Sequence, residues 1–242
     1  MQFWMDSGED IIPCGALFEG DPLTAIARIY APCGFVVGSD GREYDHQAKA
    51  PSTDKAQKIF HLHHDSADVI CSVAGYFRWK VTNVGTEIER ASRNTSNVSI
   101  KNADDYAELL RAEIQKSIDV AGHPHTHADL MKTHIFLDGY VLGIPMRRRI
   151  ILRHEKNKTT SECSAHDLFP GKLQMRGEQA VYDSLGLGSP DLTASTIPEM
   201  IELCDLFIRS HYDLADYGGR IGMAALTPLG KFQWVDGYDP IS

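Results

Sequence analysis

The chain has 242 residues, 43% of them apolar, and its 33 acidic against 24 basic side chains leave a formal net charge of −9. That length buries a substantial core, and it is read as one domain over residues 24–242 behind a leading segment of residues 1–23. The acidic balance excludes the basic face that nucleic-acid binding requires, and no run approaches the ~18 apolar residues of a membrane span.

Taken in order, Met1 to Asp21 mixes Phe3, Trp4, Ile11, Ile12, Leu17 and Phe18 with glycines and acidic residues, without a sustained period. It lacks the basic flank and apolar centre of a secretory signal, which leaves a propeptide or a permanent N-terminal extension of a cytosolic protein. Ala25–Tyr30 and Gly34–Ser39 are β-prone runs on either side of a Pro/Gly turn and predict a hairpin. Glu43–Lys55 is polar, contains Pro51 and reads as a loop. Lys58–His63 and Asp68–Ala74 are two more strands, turning at His64-Asp65-Ser66, and an Asn- and Ser-rich loop follows them.

Over Asp104–Ala121 the period changes: Tyr106, Leu109, Leu110, Ile114 and Ile118 recur at helical spacing, with Asn102 or Asp104 as N-cap and Gly122 as the stop. Thr133–Gly143, Arg147–Glu155 and Thr160–His166 form a strand series with turns at Leu142-Gly143-Ile144-Pro145 and Lys156-Asn157-Lys158. Gly177–Leu187 predicts a short helix and Pro198–Tyr212 a longer one, and Arg220–Leu226 with Lys231–Val235 make a terminal hairpin around Pro228-Leu229-Gly230. Runs of strands separated from runs of helices predict an α+β fold of antiparallel sheets with helices packed outside.

Thr24 opens the first hairpin, Asp40 closes it, Lys58 heads a later strand and Gly75 ends an apolar run. Thr, Asp, Lys and Gly in this order and spacing resemble a proteasome β subunit or its bacterial HslV relative. Ala74-Gly75, Gly177-Glu178-Gln179-Ala180 and Gly218-Gly219-Arg220-Ile221 extend that resemblance over most of the chain, from Thr24 to about Val235. It implies the four-layer αββα sandwich of the Ntn hydrolases and a threonine-type peptidase acting through an acyl-enzyme. In such an enzyme Thr24 is the nucleophile and its own α-amino group, freed by cleavage after Leu23, is the base. Lys58 depresses the pKa of that amine and Asp40 holds the lysine, while a backbone N–H near Gly75 serves as oxyanion donor.

The resemblance also implies a peptide or protein substrate, self-association such as a ring, and an unfoldase partner. The sequence departs from the family at Leu23, where active members carry Gly, and at Glu178, where they carry Ser. Around the late Gly-Gly it offers only Asp213, Asp216 and Tyr217 at shifted or altered positions. The alternative is a noncatalytic subunit of the same fold, comparable to a proteasome α subunit, whose uncleaved N-terminus plugs or gates a ring.

Other groups carry less. Imidazoles at alternate strand positions point the same way, so His61 with His63 could clasp a metal, as could His123, His125 and His127. Neither set has a cysteine or carboxylate at a convincing companion spacing, so both read as polar strand-edge or loop histidines, and no metal or cofactor is expected. Arg147-Arg148-Arg149 reads as alternating solvated strand faces or as a contact to an acidic neighbouring subunit. Gly186-Leu187-Gly188 is too short for a phosphate loop. The five cysteines lack CxxC spacing and suit reduced thiols. Trp4, Phe18, Phe77, Trp79 and Trp234 are aromatic candidates for a self-association surface.

Overall fold

The computed structural model describes residues 24–45, 50–75, 83–121, 131–155, 158–166, 168–186 and 190–239. The segment 1–23, the His123–His127 stretch, the Lys156-Asn157 turn, Gly188, and the aromatics Trp4, Phe18, Phe77 and Trp79 lie outside the described residues.

In chain order the strands and helices are β1 (Ile26–Ala31), β2 (Gly34–Ser39), β3 (Glu43–Asp45), β4 (Ala50–Thr53), β5 (Ile59–His64), β6 (Ala67–Gly75), α1 (Val84–Thr95) and α2 (Ala103–Ala121). They continue as β7 (Met131–Val141), β8 (Ile144–Glu155), β9 (Lys158–Ala165), β10 (Lys172–Arg176), α3 (Gln179–Ser184), α4 (Ile197–Arg209), β11 (Gly222–Leu226) and β12 (Phe232–Trp234). The main strands form two five-stranded sheets, ordered β10-β1-β2-β11-β12 and β5-β6-β7-β8-β9, and every pairing in them is antiparallel. The expected α+β class, with antiparallel sheets, is what the chain adopts.

Side-chain alternation along the strands sorts apolar groups into separate cores. Ala25, Ala27, Ile29, Val36, Met223 and Ala225 face Met200, Cys204, Phe207 and Ile208 of α4. The opposite face of that sheet offers Phe35, Val37, Ala224 and Leu226 to Ile59, Ile70 and Tyr140 of the other sheet. Leu62, Val69, Cys71, Val73, Ile135, Leu137, Ile150 and Leu152 then meet α1 and α2. Phe207, Ile208 and Met200 are each at most 1% exposed, and burial of such side chains stabilises by roughly 2 kcal/mol apiece. That outweighs the ≲0.7 kcal/mol by which β-branched and aromatic residues disfavour a helix.

Boundaries follow local chemistry. In α2, Asn102 is the capping residue: its Oδ1 accepts from the Asp105 N–H at 2.9 Å. The β7–β8 turn is tighter than expected, a two-residue loop of Leu142 (φ 52) and Gly143 (φ 75), so Ile144 and Pro145 already belong to β8. Positive φ at both central residues matches the twist of a two-residue hairpin, which explains the glycine.

Three expectations need correction. The polar Glu43–Lys55 stretch contains the short β3–β4 ribbon, with Ser52 Oγ donating to the Glu43 carbonyl at 3.0 Å. The Asn- and Ser-rich loop contains α1, capped by Asn83. Lys172–Arg176, to which the sequence reading assigned no element, is a strand that pairs with β1, from Ile26↔Arg176 to Tyr30↔Lys172. Nor is the Arg147-Arg148-Arg149 run a pair of solvated faces. Arg147 is fully buried, and its Nε donates to Asp138 Oδ1 at 2.6 Å, while Arg28 reaches both oxygens of the same carboxylate at 2.7 and 3.0 Å. Burial works to raise the Asp138 carboxyl, and the two guanidiniums outweigh it and hold it below its ordinary value.

Candidate functional site

The β1–β2 hairpin creates the site through its register. Ile26 lies opposite Ser39, and one step farther the Asp40 N–H donates to the Ala25 carbonyl at 3.0 Å. The Ala25 N–H returns a bond to Asp40 Oδ1 at 3.1 Å. Thr24 and Asp40, sixteen positions apart, are thereby held at the same end of one hairpin. Lys58 arrives from the other sheet, just ahead of β5, where its carbonyl accepts from the Val73 N–H at 2.9 Å.

Lys58 Nζ lies 3.3 Å from Thr24 Oγ1, 3.0 Å from Asp40 Oδ1 and 2.5 Å from the Arg42 carbonyl, donating to each. Thr24, Asp40 and Lys58 are 3%, 1% and 6% exposed, so their charges and dipoles act with little screening from water. Asp40 Oδ2 accepts from the Gly218 N–H at 3.3 Å, which brings the late Gly-Gly turn into the cluster. Burial pushes the Asp40 carboxyl up, opposed by the Lys58 ammonium and the Gly218 and Ala25 amides.

Gly75 ends β6 opposite Thr133 at φ 99, and a Cβ there would stand 2.2 Å from the Lys132 carbonyl oxygen, so only glycine fits. Its neighbour Ala74 packs with Ile26 and Phe136, two residues beyond Thr24 along β1. Lys58 thus contacts both Thr24 and Asp40, and Gly75 terminates the adjoining strand.

Glu178 takes no part in the Thr24–Lys58–Asp40 bonds, but its N–H donates to His211 Nε2 at 3.0 Å. The His211 Nδ1 side meets the Phe207 carbonyl at 2.9 Å, which fixes a neutral ring protonated on Nδ1. Burial holds that imidazole below its ordinary pKa. The Tyr217 ring packs tilted against His211, with ring centroids 4.9 Å apart, and its buried hydroxyl has no hydrogen-bond partner among the described residues. Sequence reasoning passed over His211, although the α4 period of Met200, Cys204, Phe207 and Ile208 continues to it and marks it as core-facing.

The described residues hold another cluster that the sequence reading did not assemble. Asp68 lies across the β5–β6 hairpin from His63, and the donor atoms of His61, His63 and Asp68 all fall within 4.8 Å of one another.

No protein-family model and no curated protein matches this sequence. Among solved structures, the fold matches the Anbu (Gly-1) mutant from Hyphomicrobium sp. strain MC1 with a TM-score of 0.57 at 12% identity, covering 90% of this chain and 88% of that one. It matches Anbu (ancestral beta-subunit) from Yersinia bercovieri at 0.53 and 13%, covering 88% of each chain. It also matches the helical assembly of the Anbu complex from Pseudomonas aeruginosa at 0.57 and 13%, covering 84% and 81%. These likenesses correct the resemblance read from the sequence. The neighbours are Anbu proteins, a proteasome-like family distinct from HslV and the proteasome β subunits, and at 12–13% identity what is shared with them is the fold.

Proposed function

We propose that this chain is a threonine-type N-terminal nucleophile amidohydrolase that cleaves peptide bonds through an acyl-enzyme. The observation that carries the reading is the buried Lys58 ammonium, placed between Thr24 Oγ1 and the Asp40 carboxylate. Cleavage of the Leu23–Thr24 bond frees the Thr24 amine. That amine takes the hydroxyl proton as Oγ1 attacks a substrate carbonyl, and the resulting oxyanion is met by a backbone amide near Gly75. Collapse expels the amine half of the substrate with the transferred proton, and water then releases the acyl half. Lys58 favours the neutral amine at working pH, and Asp40 fixes Lys58 through a charge-assisted bond.

In this reading residues 1–23 are a propeptide or extension and residues 24–242 one domain, whose successive cores stack as a four-layer αββα sandwich. The cysteines among the described residues are free, which accords with a reducing cytosol. Self-association is part of the proposal. Leu142 and Ile144, 51% and 68% exposed at the β7–β8 turn, offer neighbouring apolar groups, and the Pseudomonas neighbour is described as a helical assembly. Multi-angle light scattering is expected to give a mass of at least two chains, and a stable monomer at micromolar concentration contradicts this.

Intact mass and a fluorogenic peptide assay test the chemistry. The wild type is expected to start at Thr24 and to turn over. Thr24→Ala is expected to retain its leading segment and lose activity, and Lys58→Ala to lose at least ~10² in rate while keeping its circular dichroism spectrum. A wild type that begins at Met1 and resists threonine-directed covalent inhibitors defeats the enzyme reading and favours a noncatalytic scaffold.

A further inference from the structure

The geometry points to a mononuclear site for a divalent transition metal of the Zn²⁺ class, held by His61, His63 and Asp68 on the β5–β6 hairpin. The hairpin register builds it. His61 and His63 share a strand face, and His63 stands directly opposite Asp68. His64, on the other face, turns inward, and its Nε2 meets the Val98 carbonyl at 2.8 Å, so it is spent on the fold. His61 Nε2 and Asp68 Oδ1 are in direct contact, and the His61 and His63 ring centroids are 6.1 Å apart.

Two features make this more than a polar edge. The His61 ring lies flat on Phe232 of β12, with centroids 3.8 Å apart and planes 6° from parallel. The imidazole is therefore oriented by a neighbouring strand, as a ligand must be. Donor atoms within 4.8 Å of one another need only side-chain rotation to reach the roughly 3.3 Å separations implied by tetrahedral bonds of ~2.0–2.1 Å.

Two imidazoles and one carboxylate suit Zn²⁺, Co²⁺ or Ni²⁺ over Mg²⁺ or Ca²⁺, which prefer all-oxygen shells. His61 coordinates through Nε2 and carries its proton on Nδ1. Three protein ligands leave a position for water or another donor. All three belong to one hairpin at the edge of its sheet, so the ion clips β5 to β6 just after Lys58. The site stands apart from the chemistry assigned to Thr24, and its test reads binding rather than turnover.

The metal-free full chain is titrated with Zn²⁺ by calorimetry and with Co²⁺ by visible absorption. One ion per chain is expected, with the intense d–d bands of four-coordinate cobalt, undisplaced by millimolar Mg²⁺. His61→Ala and His63→Ala at exposed positions and Asp68→Asn at a partly buried one are each expected to weaken binding at least tenfold while keeping the wild-type circular dichroism spectrum. They are also expected to abolish the rise in melting temperature that Zn²⁺ gives the wild type. A variant with His123→Ala, His125→Ala and His127→Ala is expected to bind as the wild type does. No saturable binding in the wild type overturns the assignment, as does binding that survives Asp68→Asn or disappears with the His123/His125/His127 substitutions.

Discussion

Two buried ionic clusters have opposite designs at the scale of single residues. Around Lys58 three acceptors, Thr24 Oγ1, Asp40 Oδ1 and the Arg42 carbonyl, converge on one ammonium, and the proposed chemistry uses the hydroxyl among them. Around Asp138 two arginines close on one carboxylate, and Arg28 additionally lies 4.3 Å over the Phe136 ring. The outer nitrogens of Arg147 are buried without a hydrogen-bond partner, so the second cluster depends on Asp138 for compensation. Asp138→Asn leaves two guanidiniums facing an amide in a buried setting and is expected to cost about 3–5 kcal/mol, the scale for breaking a buried pair by removing one partner. Urea unfolding measures it, and a loss under 1 kcal/mol contradicts the account. The Thr24–Asp40 spacing was legible because hairpin pairing converts a sequence interval into a distance. The Asp138 cluster was not, because Arg28 and Asp138 meet across sheets, and because Arg147-Arg148-Arg149 is identical in composition whether its members are buried or solvated.

Whether an element is legible depends on whether its local signals agree. In α2 the apolar period, the Asn102 cap and the polar face point the same way, and the helix begins within one residue of expectation. In α1 they conflict. Val84, Ile88, Ala91 and Thr95 keep helical spacing and are buried, but Gly85 and the surrounding Asn and Ser residues read as loop. The β10 strand goes unassigned in the sequence for a different reason, since Lys172–Arg176 is only five residues long and is stabilised by its ladder with β1, a partner remote in sequence. For α1 the deciding feature is the cap: Asn83 Oδ1 accepts from the Thr86 N–H at 2.8 Å. Asn83→Ala is expected to lower stability by about 1 kcal/mol, with the denaturation midpoint falling and the m-value unchanged. Asn83→Asp, which keeps the acceptor at a helix N-terminus, is expected to restore it.

Across the whole molecule, buried titratable groups of both sheets combine into a dependence of stability on pH. Burial first, and then the charges of Arg176, Arg149, Lys132 and Arg153, hold the His134 imidazole down to about 2. Burial and Arg28, Arg149 and Arg147 hold His166 down to about 4. In the unfolded chain each takes a proton near pH 6.5, whereas the folded chain refuses it until far lower. Below that pH the unfolded state binds more protons, so stability falls as pH falls, and the 8% exposed His134 accounts for a slope of up to about 1.4 kcal/mol per pH unit. Below about pH 4 Asp138 acts in the same sense, because its depressed carboxyl stabilises the fold only while ionised. Asp40 opposes them: its carboxyl is raised by burial, so its proton is taken up more readily by the folded chain. Two imidazoles act in the falling sense against one carboxyl, so their sign governs between pH 6.5 and 4.5. Urea midpoints are expected to fall steadily across that window, and His134→Gln, which removes the titration but keeps a polar group, is expected to flatten the slope. Equal slopes for His134→Gln and wild type would mean that His134 protonates in the folded chain at its ordinary pH, and that the cationic, water-excluded surroundings assigned to it between the sheets are wrong.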